Sequence, residues 1–303
     1  MGNDRSGAIS RIALILSMGI FGTIGLFRRY IPLPSGSIAF FRGLIGTLAL
    51  VLIALLLRKK PDINAIKKRI VPLCVSGALI GFNWILLFEA YNYTSVSTAT
   101  LCYYMAPILV IIASPIFLRE RLRAKQIICT LVAIAGMVLV SGVLRGGDVD
   151  VRGILLGLGA AALYASVILI NRRLGGMSAY DKTIVQLGAA TVVILPYTLI
   201  AEDISAVIFT PKVILLLLLV GIVHTGISYA MYFGSVGALP TQTVAVFSYI
   251  DPVVAIILSA LILKEPMGVL EAIGAVMILG AAVMSEISLK KVNAHECVSD
   301  EKQ

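Results

Sequence analysis

Apolar residues follow one another in runs of about twenty along most of the chain, and short charged links separate these runs. A run of that length matches the ~30 Å hydrocarbon core of a bilayer at ~1.5 Å of rise per residue. The pattern predicts an all-α membrane protein with ten transmembrane helices. The predicted spans are residues 9–27, 36–57, 70–91, 96–118, 124–144, 153–171, 179–200, 212–233, 241–263 and 267–287.

The chain resembles itself when it is shifted by 145 residues, which aligns the third and fourth spans with the eighth and ninth without a gap. Ten of forty positions between residues 81 and 120 then coincide. The matches that chance explains least are Pro107/Pro252, Tyr104/Tyr249 and Glu120/Glu265. Because each half contains five spans, an odd number, the second half enters the membrane in the opposite sense. We therefore predict two inverted five-helix repeats, residues 1–145 and 146–291, and a polar cytoplasmic tail, residues 292–303.

The composition and the charge distribution support a membrane location. Hydrophobic residues make up 59% of the chain, charged residues only 14%, and the net charge is +9. No basic stretch alternates with exposed aromatic residues, so nucleic acid is not the expected partner. Eighteen of the 25 Lys and Arg fall in the links on one side of the predicted topology. Since positive residues are retained in the cytoplasm, we expect a multi-pass protein of the inner or plasma membrane with both termini cytoplasmic.

Several classes of chemistry lack their usual residues. The four cysteines, Cys74, Cys102, Cys129 and Cys297, have no paired spacing, so we expect no disulfide framework and no metal site. No Gly-Lys-Ser phosphate loop is present, and no nucleophile with a nearby base is evident. The sequence therefore predicts neither an enzyme nor an ATP-driven pump, and it calls for no cofactor.

Two motifs make the chain similar to a known family. The first is Tyr103-Tyr104-Met105-Ala106-Pro107 with Arg119-Glu120-Arg121-Leu122 downstream, and its copy is Tyr249-Ile250-Asp251-Pro252 with Glu265-Pro266 downstream. Through them the chain resembles the EamA-type transporters of the drug/metabolite transporter superfamily. The resemblance implies a ten-helix secondary transporter whose central cavity opens alternately to each side of the membrane. It also implies, as a substrate class, amino acids or related metabolites that are often exported.

Two ionisable residues are predicted deep in the membrane. Asp251 lies about eight residues into the ninth span, where an unpaired carboxylate is costly and usually functional. It is a candidate for solute binding or proton coupling, and the alternative is a local bond that shapes the kink beside Pro252. His224 lies near the middle of the eighth span and titrates near neutral pH. It is a candidate for the same coupling, and the alternative is a neutral ring bonded to a neighbouring carbonyl.

Aromatic and small polar residues of the third, fourth, eighth and ninth spans are the candidate lining of a solute site. Trp84 aligns with Tyr229 in the repeat, so both halves present an aromatic surface that suits the apolar part of a solute. The candidates are Asn83, Trp84, Tyr103, Tyr104, Ser228, Tyr229 and Tyr249.

Four residues are candidates for gating. Arg42 and Glu89 are predicted near the same outer level, where they would pair across a gate, while the alternative for Arg42 is that its side chain reaches out to the interface. Pro107 and Pro252 occupy equivalent places, and each removes a backbone hydrogen bond, which fits either a hinge or a static bend. Glu265, beside Lys264, is expected in an interfacial ion pair.

The sequence as a whole favours a secondary active transporter of small organic metabolites, an exporter that works by alternating access with protons as the coupling ion. Its expected partners are a small-molecule solute, the lipid bilayer and protons. A non-transporting membrane receptor or assembly protein is the alternative, and an intramembrane enzyme is a third. Substrate identity and oligomeric state stay open.

Overall fold

The computed structural model describes residues 2–117, 124–141, 151–174, 176–203, 208–236, 239, 244, 247–265 and 267–300, with side chains between residues 8 and 284. All the regular structure within these ranges is helical, which confirms the predicted all-α class. Glu120 and its arginine neighbours lie outside the described residues, as do parts of the predicted fifth and ninth spans.

Eight helices form the first half of the chain. They are α1 (Gly2–Gly22), α2 (Ile24–Arg29), α3 (Ser35–Leu56), α4 (Ile63–Lys68), α5 (Ile70–Tyr93), α6 (Val96–Tyr103), α7 (Ala106–Phe117) and α8 (Ala124–Val140). Side-chain caps explain two of the starts, because the Asp62 carboxylate accepts from the Ala65 amide and the Ser95 hydroxyl accepts from the Thr98 amide. Each cap satisfies a backbone donor that the first turn leaves open.

The structure describes six further α-helices and one π-helix in the second half of the chain. They are α9 (Val151–Arg173), α10 (Ala179–Ala201), α11 (Pro211–Leu219), the π-helix (Val220–Ile227), α12 (Ser228–Val236), α13 (Ile250–Leu261) and α14 (Val269–Asp300). Thr210 caps α11 and Pro211 occupies its first turn, where a missing N–H is harmless. The α11, π and α12 segments follow one another without a gap, so together they form one long helical rod.

Seven helical segments of the described chain are long and apolar enough to cross a membrane. They are Ala8–Arg29, Ser35–Leu56, Ile70–Tyr93, Val96–Phe117, Val151–Arg173, Ala179–Ala201 and Pro211–Ser235. Three shorter apolar helices, Ala124–Val140, Ile250–Leu261 and Val269–Met284, coincide with the remaining predicted spans. All ten predicted spans therefore overlap an apolar helix, and seven of these helices reach full spanning length.

Large apolar side chains lie on the outside of the bundle and polar ones lie inside. Ile116 is 80% exposed and Ile200 is 86% exposed, whereas Ser17, Ser76 and Thr225 are fully buried. A surface of this kind is unfavourable in water and suits a hydrocarbon environment.

Small residues bring certain helices into very close contact. A Cβ added at Gly22 in α1 would lie 2.5 Å from the Asp251 carbonyl oxygen, and one added at Gly46 in α3 would lie 2.4 Å from Thr225 Cγ2. Glycine thus allows α1 to pack on α13 and α3 to pack on the π-helix. Close approach through small residues is a common basis of helix association in membranes.

Two helices are interrupted next to the repeated prolines. The chain leaves the helical path at Tyr104 and Met105, between α6 and α7, and at Tyr249, directly before α13. Pro107 and Pro252 follow within the first turn of the new helix, where proline is tolerated. Each proline thus stands three residues after a turn residue, Tyr104 in one case and Tyr249 in the other.

Candidate functional site

The two interrupted helices meet at their breaks. The Tyr104 hydroxyl donates to Asp251 Oδ2 at 2.7 Å, and the ring centroids of Tyr104 and Tyr249 are 6.2 Å apart. Tyr104 and Tyr249 are repeat equivalents, so each half contributes its break and its tyrosine to the same place. Asp251 has no counterpart in the first half, where Ala106 stands. Asp251 of α13 is thus hydrogen-bonded to Tyr104, which lies between α6 and α7 in the first half of the chain.

Further aromatic rings surround this contact. Tyr103 lies with its ring centroid 5.9 Å from that of Tyr104 and is stacked at 5.3 Å on Tyr164 of α9. Tyr229 of α12 is stacked at 5.7 Å on Phe233. Tyr103, Tyr104 and Tyr229 are only partly buried although they point inward, which is typical of side chains that line an internal space.

Arg42 lies among these residues and not at a membrane interface. Its side chain is 6% exposed, and its guanidinium carbon lies 4.3 Å from the centroid of the Trp84 ring and 5.7 Å from that of Phe88. Its Nε donates to Thr225 Oγ1 at 3.1 Å. Aromatic faces attract a guanidinium through the ring quadrupole, so α5 and the π-helix fix this cation in the interior.

His224 lies in the π-helix and is buried, with 1% of its surface exposed. Its Nε2 lies 2.7 Å from the Thr23 hydroxyl, which itself donates to the Ile20 carbonyl, and its ring packs edge-on against Phe27. Because the single hydroxyl proton of Thr23 is used on Ile20, Nε2 is the donor in this pair. His224 therefore joins the eighth span to the link between α1 and α2.

Two predicted lining residues have partners elsewhere. Asn83 Nδ2 donates to the Ala160 carbonyl at 2.5 Å, which ties α5 to α9. Ser228 donates to the Val223 carbonyl of its own helix at 2.9 Å. Both side chains are buried. The Asn83 bond joins two helices, whereas the Ser228 bond stays within the continuous rod that the π-helix and α12 form.

Glu89 also lies away from Arg42 in this structure. It accepts from Ser35 Oγ at 2.7 Å and from Asn92 Nδ2 at 3.0 Å. Arg28 Nη2 in turn donates to Ser35 Oγ and to Asn92 Oδ1. No ion pair joins Arg42 to Glu89 among the residues that the structure describes. The proposed gate between Arg42 and Glu89 stays a prediction for another conformation.

A second carboxylate joins the two halves at the same end of the bundle as Glu89. Glu265 Oε1 pairs with Arg29 Nη2 at 2.7 Å, and Oε2 accepts from the Val96 amide at 2.8 Å and from Ser259 Oγ at 2.5 Å. We call Arg29, Val96, Ser259 and Glu265 the Glu265 cluster. The ion-pair partner of Glu265 is therefore Arg29 of the first half and not the neighbouring Lys264.

Three residues with contacts in this region are not among the predicted site residues. Thr225 holds Arg42, Tyr164 stacks on Tyr103, and Thr23 bonds to His224. A threonine or tyrosine within an apolar run is common, and the partner of each lies far away along the chain. Only the packing of the helices identifies them.

Comparisons with known proteins agree with this architecture. The model of the EamA-like transporter family matches residues 8–142 and 151–286. YxxF, an uncharacterized transporter of Bacillus subtilis (strain 168), is 28% identical over 281 residues, which are 90% of this chain and 88% of the relative. Protein PecM of Dickeya dadantii (strain 3937) is 26% identical over 227 residues, which are 72% of this chain and 74% of PecM.

A solved crystal structure has a similar fold. It covers 95% of this chain and 99% of its own, with a TM-score of 0.64 and 20% sequence identity. At that identity the likeness concerns the fold alone.

Proposed function

The chain belongs to the EamA-like transporter family, and from that premise we propose that it exports a small organic metabolite, with amino acids or related compounds as the substrate class. Membership itself makes the chain a multi-pass membrane transporter of small molecules and not an enzyme. We propose in addition the substrate class, the direction of transport, the coupling to protons and the transport mechanism.

We propose alternating access between two inverted five-helix repeats. The two stretches that match the family model, residues 8–142 and 151–286, support this arrangement. Further support comes from the helix breaks at equivalent positions, Tyr104 in one half and Tyr249 in the other. Inverted repeats with broken helices are a known design of secondary transporters, in which the solute binds where the repeats meet.

The Tyr104–Asp251 hydrogen bond is the observation on which the proposed site depends. It joins the two repeats at the depth where both helices are broken, and aromatic rings suited to an apolar group surround it. The proposed solute and coupling site comprises Asp251, Tyr103, Tyr104, Tyr229, Tyr249 and Trp84. His224, which contacts Thr23 and Phe27, is a further candidate for coupling. Asn83 and Ser228 support its walls through the bonds described above.

Asp251 is the proposed coupling residue. A carboxylate in the interior of a membrane protein is costly when it is charged and unpaired, so solute binding and proton binding compete to neutralise it. A carrier that exchanges one for the other can use a proton gradient to drive its solute. This step needs no cofactor.

The Glu265 cluster and the Arg28–Glu89 network form the proposed closed gate. Both lie at the end of the bundle that contains the links after α2 and α5. The Glu265 cluster joins opposite repeats, so opening this end requires that its bonds break. Pro107 and Pro252 are the proposed hinges, since each stands directly after a helix break.

We place the chain in the inner or plasma membrane with both termini in the cytoplasm. The excess of Lys and Arg in alternate links supports this orientation, which puts the Glu265 cluster on the outer side. Reporter fusions at each terminus test it, and activity of the two reporters on opposite faces would exclude the proposed topology.

Exchange in proteoliposomes tests the proposed function. The purified chain should exchange a labelled amino-acid mixture saturably, and an imposed pH gradient should change the rate. Asp251→Asn should weaken the response to the gradient at least about tenfold, because the amide cannot bind and release the coupling proton. Asp62→Asn is the matched control, since Asp62 is exposed in a link and asparagine also caps a helix.

Two results would contradict the proposal. One is a wild-type pH response that persists in Asp251→Asn, which would remove Asp251 from coupling. The other is the absence of exchange with every metabolite of a broad library by a correctly folded protein, which would favour the receptor or assembly alternative.

A further inference from the structure

Arg42 is a buried cation that forms no ion pair among the residues that the structure describes. Its side chain is 6% exposed, and the one ion pair found there joins Arg29 to Glu265. The other buried arginine of the described chain, Arg28, differs because its terminal amino groups donate to Ile31, Ser35 and Asn92. A buried arginine is normally paired with an acid, so the surroundings of Arg42 are unusual.

The donors of Arg42 are only partly used. A guanidinium has five N–H groups, one on Nε and four on the two terminal amino groups. Nε donates to Thr225 Oγ1 at 3.1 Å, and Thr225 in turn donates to the Val220 carbonyl. Within the described part of the chain, the terminal amino groups of Arg42 have no hydrogen-bond acceptor. The planar edge that binds carboxylates in a bidentate manner is therefore open.

The surroundings hold this edge in place. The Trp84 ring lies 4.3 Å from the guanidinium carbon and Phe88 lies 5.7 Å from it, while Thr225 fixes the Nε side. Thr225 is itself fixed by the close approach of Gly46, where an added Cβ would lie 2.4 Å from Thr225 Cγ2. A cation fixed on one edge and open on the other is preorganised for an anion.

The nearest opposite charge of the interior belongs to the other repeat. Asp251 is close enough for its charge to act on Arg42, yet the two residues form no ion pair. Both charges also act on Tyr103 and Tyr229. Arg42 and Asp251 thus act on the same two tyrosines without forming an ion pair with each other, which leaves the guanidinium of Arg42 available to a carboxylate of a solute.

We propose that Arg42 binds the carboxylate of the transported solute and thereby selects solutes that carry one. This inference rests on the proposed function, because a solute reaches Arg42 only if the interior is part of a transport path. The anion is a carboxylate and not a phosphate, since a single guanidinium supplies one positive charge and Asp251 repels a second negative charge. The aromatic rings of Trp84, Tyr103 and Tyr229 then contact the apolar part of the solute.

Binding of four probes to the purified protein in nanodiscs tests the proposal. L-phenylalanine and phenylacetate contain a carboxylate, phenylalaninamide lacks one, and phenyl phosphate offers a different anion. Wild type should bind the first two, with phenylalaninamide at least about tenfold weaker, which corresponds to the loss of a charge-assisted bidentate contact. Stronger binding of phenyl phosphate than of phenylacetate would overturn the choice of carboxylate.

Variants of Arg42 provide the second arm. Arg42→Gln should lose phenylacetate binding at least about tenfold, and Arg42→Lys should retain part of it because the charge remains without the planar edge. Arg11→Gln is the control, since it removes an exposed arginine of α1 that lies outside the proposed site and the proposed gate. It should leave the preference for phenylacetate over phenylalaninamide unchanged. Equal probe binding by wild type and Arg42→Gln would overturn the proposal.

One measurement needs no variant and separates this inference from the proposed function. In wild-type proteoliposomes, phenylacetate should inhibit amino-acid exchange while benzylamine should not. If exchange occurs and both compounds inhibit equally, the role of Arg42 is wrong and the transporter stands. If no solute is exchanged but phenylacetate still binds to wild type and not to Arg42→Gln, the carboxylate site stands and the transport proposal fails.

Discussion

At the scale of single residues, the two halves share the residues beside two helix starts and differ there in one acid. Tyr104 and Tyr249 stand at equivalent helix breaks, and Pro107 and Pro252 follow them. Asp251, in contrast, stands where the first half has Ala106. The repeated residues shape the broken helices, so the fold accounts for them. A residue that departs from the repeat needs another explanation, and for Asp251 we infer that this explanation is solute or proton binding.

Gly22 gives a prediction on close packing. Gly22→Ala should destabilise the protein by about 1–3 kcal/mol, because the new methyl group would meet the Asp251 carbonyl oxygen and Val254. Gly19→Ala is the control in the same helix, since no atom lies within 4 Å of its added Cβ, and it should be neutral or stabilising by up to about 1 kcal/mol. Thermal unfolding in detergent compares the two. Similar melting temperatures for both variants would show that α1 does not pack closely against α13 at Gly22.

At the scale of elements, the interruption between α6 and α7 is the feature that local chemistry explains best. Tyr104 and Met105 donate their amides to Thr100 and Cys102, and the helix resumes at Ala106. Pro107 has no amide hydrogen, so it cannot donate to the Tyr103 carbonyl one turn earlier. The missing bond permits the break, and the break directs the Tyr104 hydroxyl towards Asp251.

Pro107→Ala should therefore decrease turnover and leave solute affinity nearly unchanged. Alanine supplies the missing amide hydrogen, so a hydrogen bond to the Tyr103 carbonyl can form and α6 and α7 would join more easily. We expect exchange to slow by about tenfold, which corresponds to about 1.4 kcal/mol in the barrier. Pro115→Ala, within the continuous part of α7, is the control. Wild-type turnover in Pro107→Ala would identify the break as a static bend.

The π-helix is the element by which the eighth span departs from its repeat partner. Val220–Ile227 is π-helical, whereas the equivalent part of α5 is regular α-helix. The hydroxyl groups of Thr225 and Ser228 accordingly donate to carbonyls five residues earlier, at Val220 and Val223. The wider turn places His224 towards Thr23 and Thr225 towards Arg42. Single turns of π-helix are frequent at functional sites, and this one holds the cation of the interior.

At the scale of the whole molecule, the Glu265 cluster is the most direct bond between the two repeats at one end. Glu265→Gln should destabilise this closed end by about 2 kcal/mol, because the carboxylate accepts from Arg29, Val96 and Ser259 at once. Arg29→Gln should cost less than about 1 kcal/mol, since the ion pair is partly exposed, at 32% and 20% for the two side chains.

Thiol labelling provides the measurement for this pair. A cysteine introduced at Ser97, which is buried at the same end, should react faster with a maleimide in the Glu265→Gln background than in the Arg29→Gln background. Equal labelling rates in the two backgrounds would show that the Glu265 cluster does not hold this end closed.

The sequence by itself determined the class of protein, the approximate positions of the ten apolar helices and the two equivalent helix breaks. These properties depend on local quantities, namely the length of apolar runs, the absence of an amide hydrogen at Pro107 and Pro252, and similarity at a fixed spacing. The pairing of charges could not be found in this way. Arg42 and Glu89 seemed suitable partners by depth, yet each has other neighbours in the structure.

Only the tertiary structure decided which side chains meet. Arg42 lies against Trp84 and Thr225, residues that are 42 and 183 positions away along the chain, and the Arg29–Glu265 pair spans 236 positions. Depth in the membrane follows from counting residues, but the rotation of each helix about its axis follows from packing against several neighbours at once. For that reason the sequence predicted the helices of this transporter, and the packed bundle decided which of their polar residues form the candidate site.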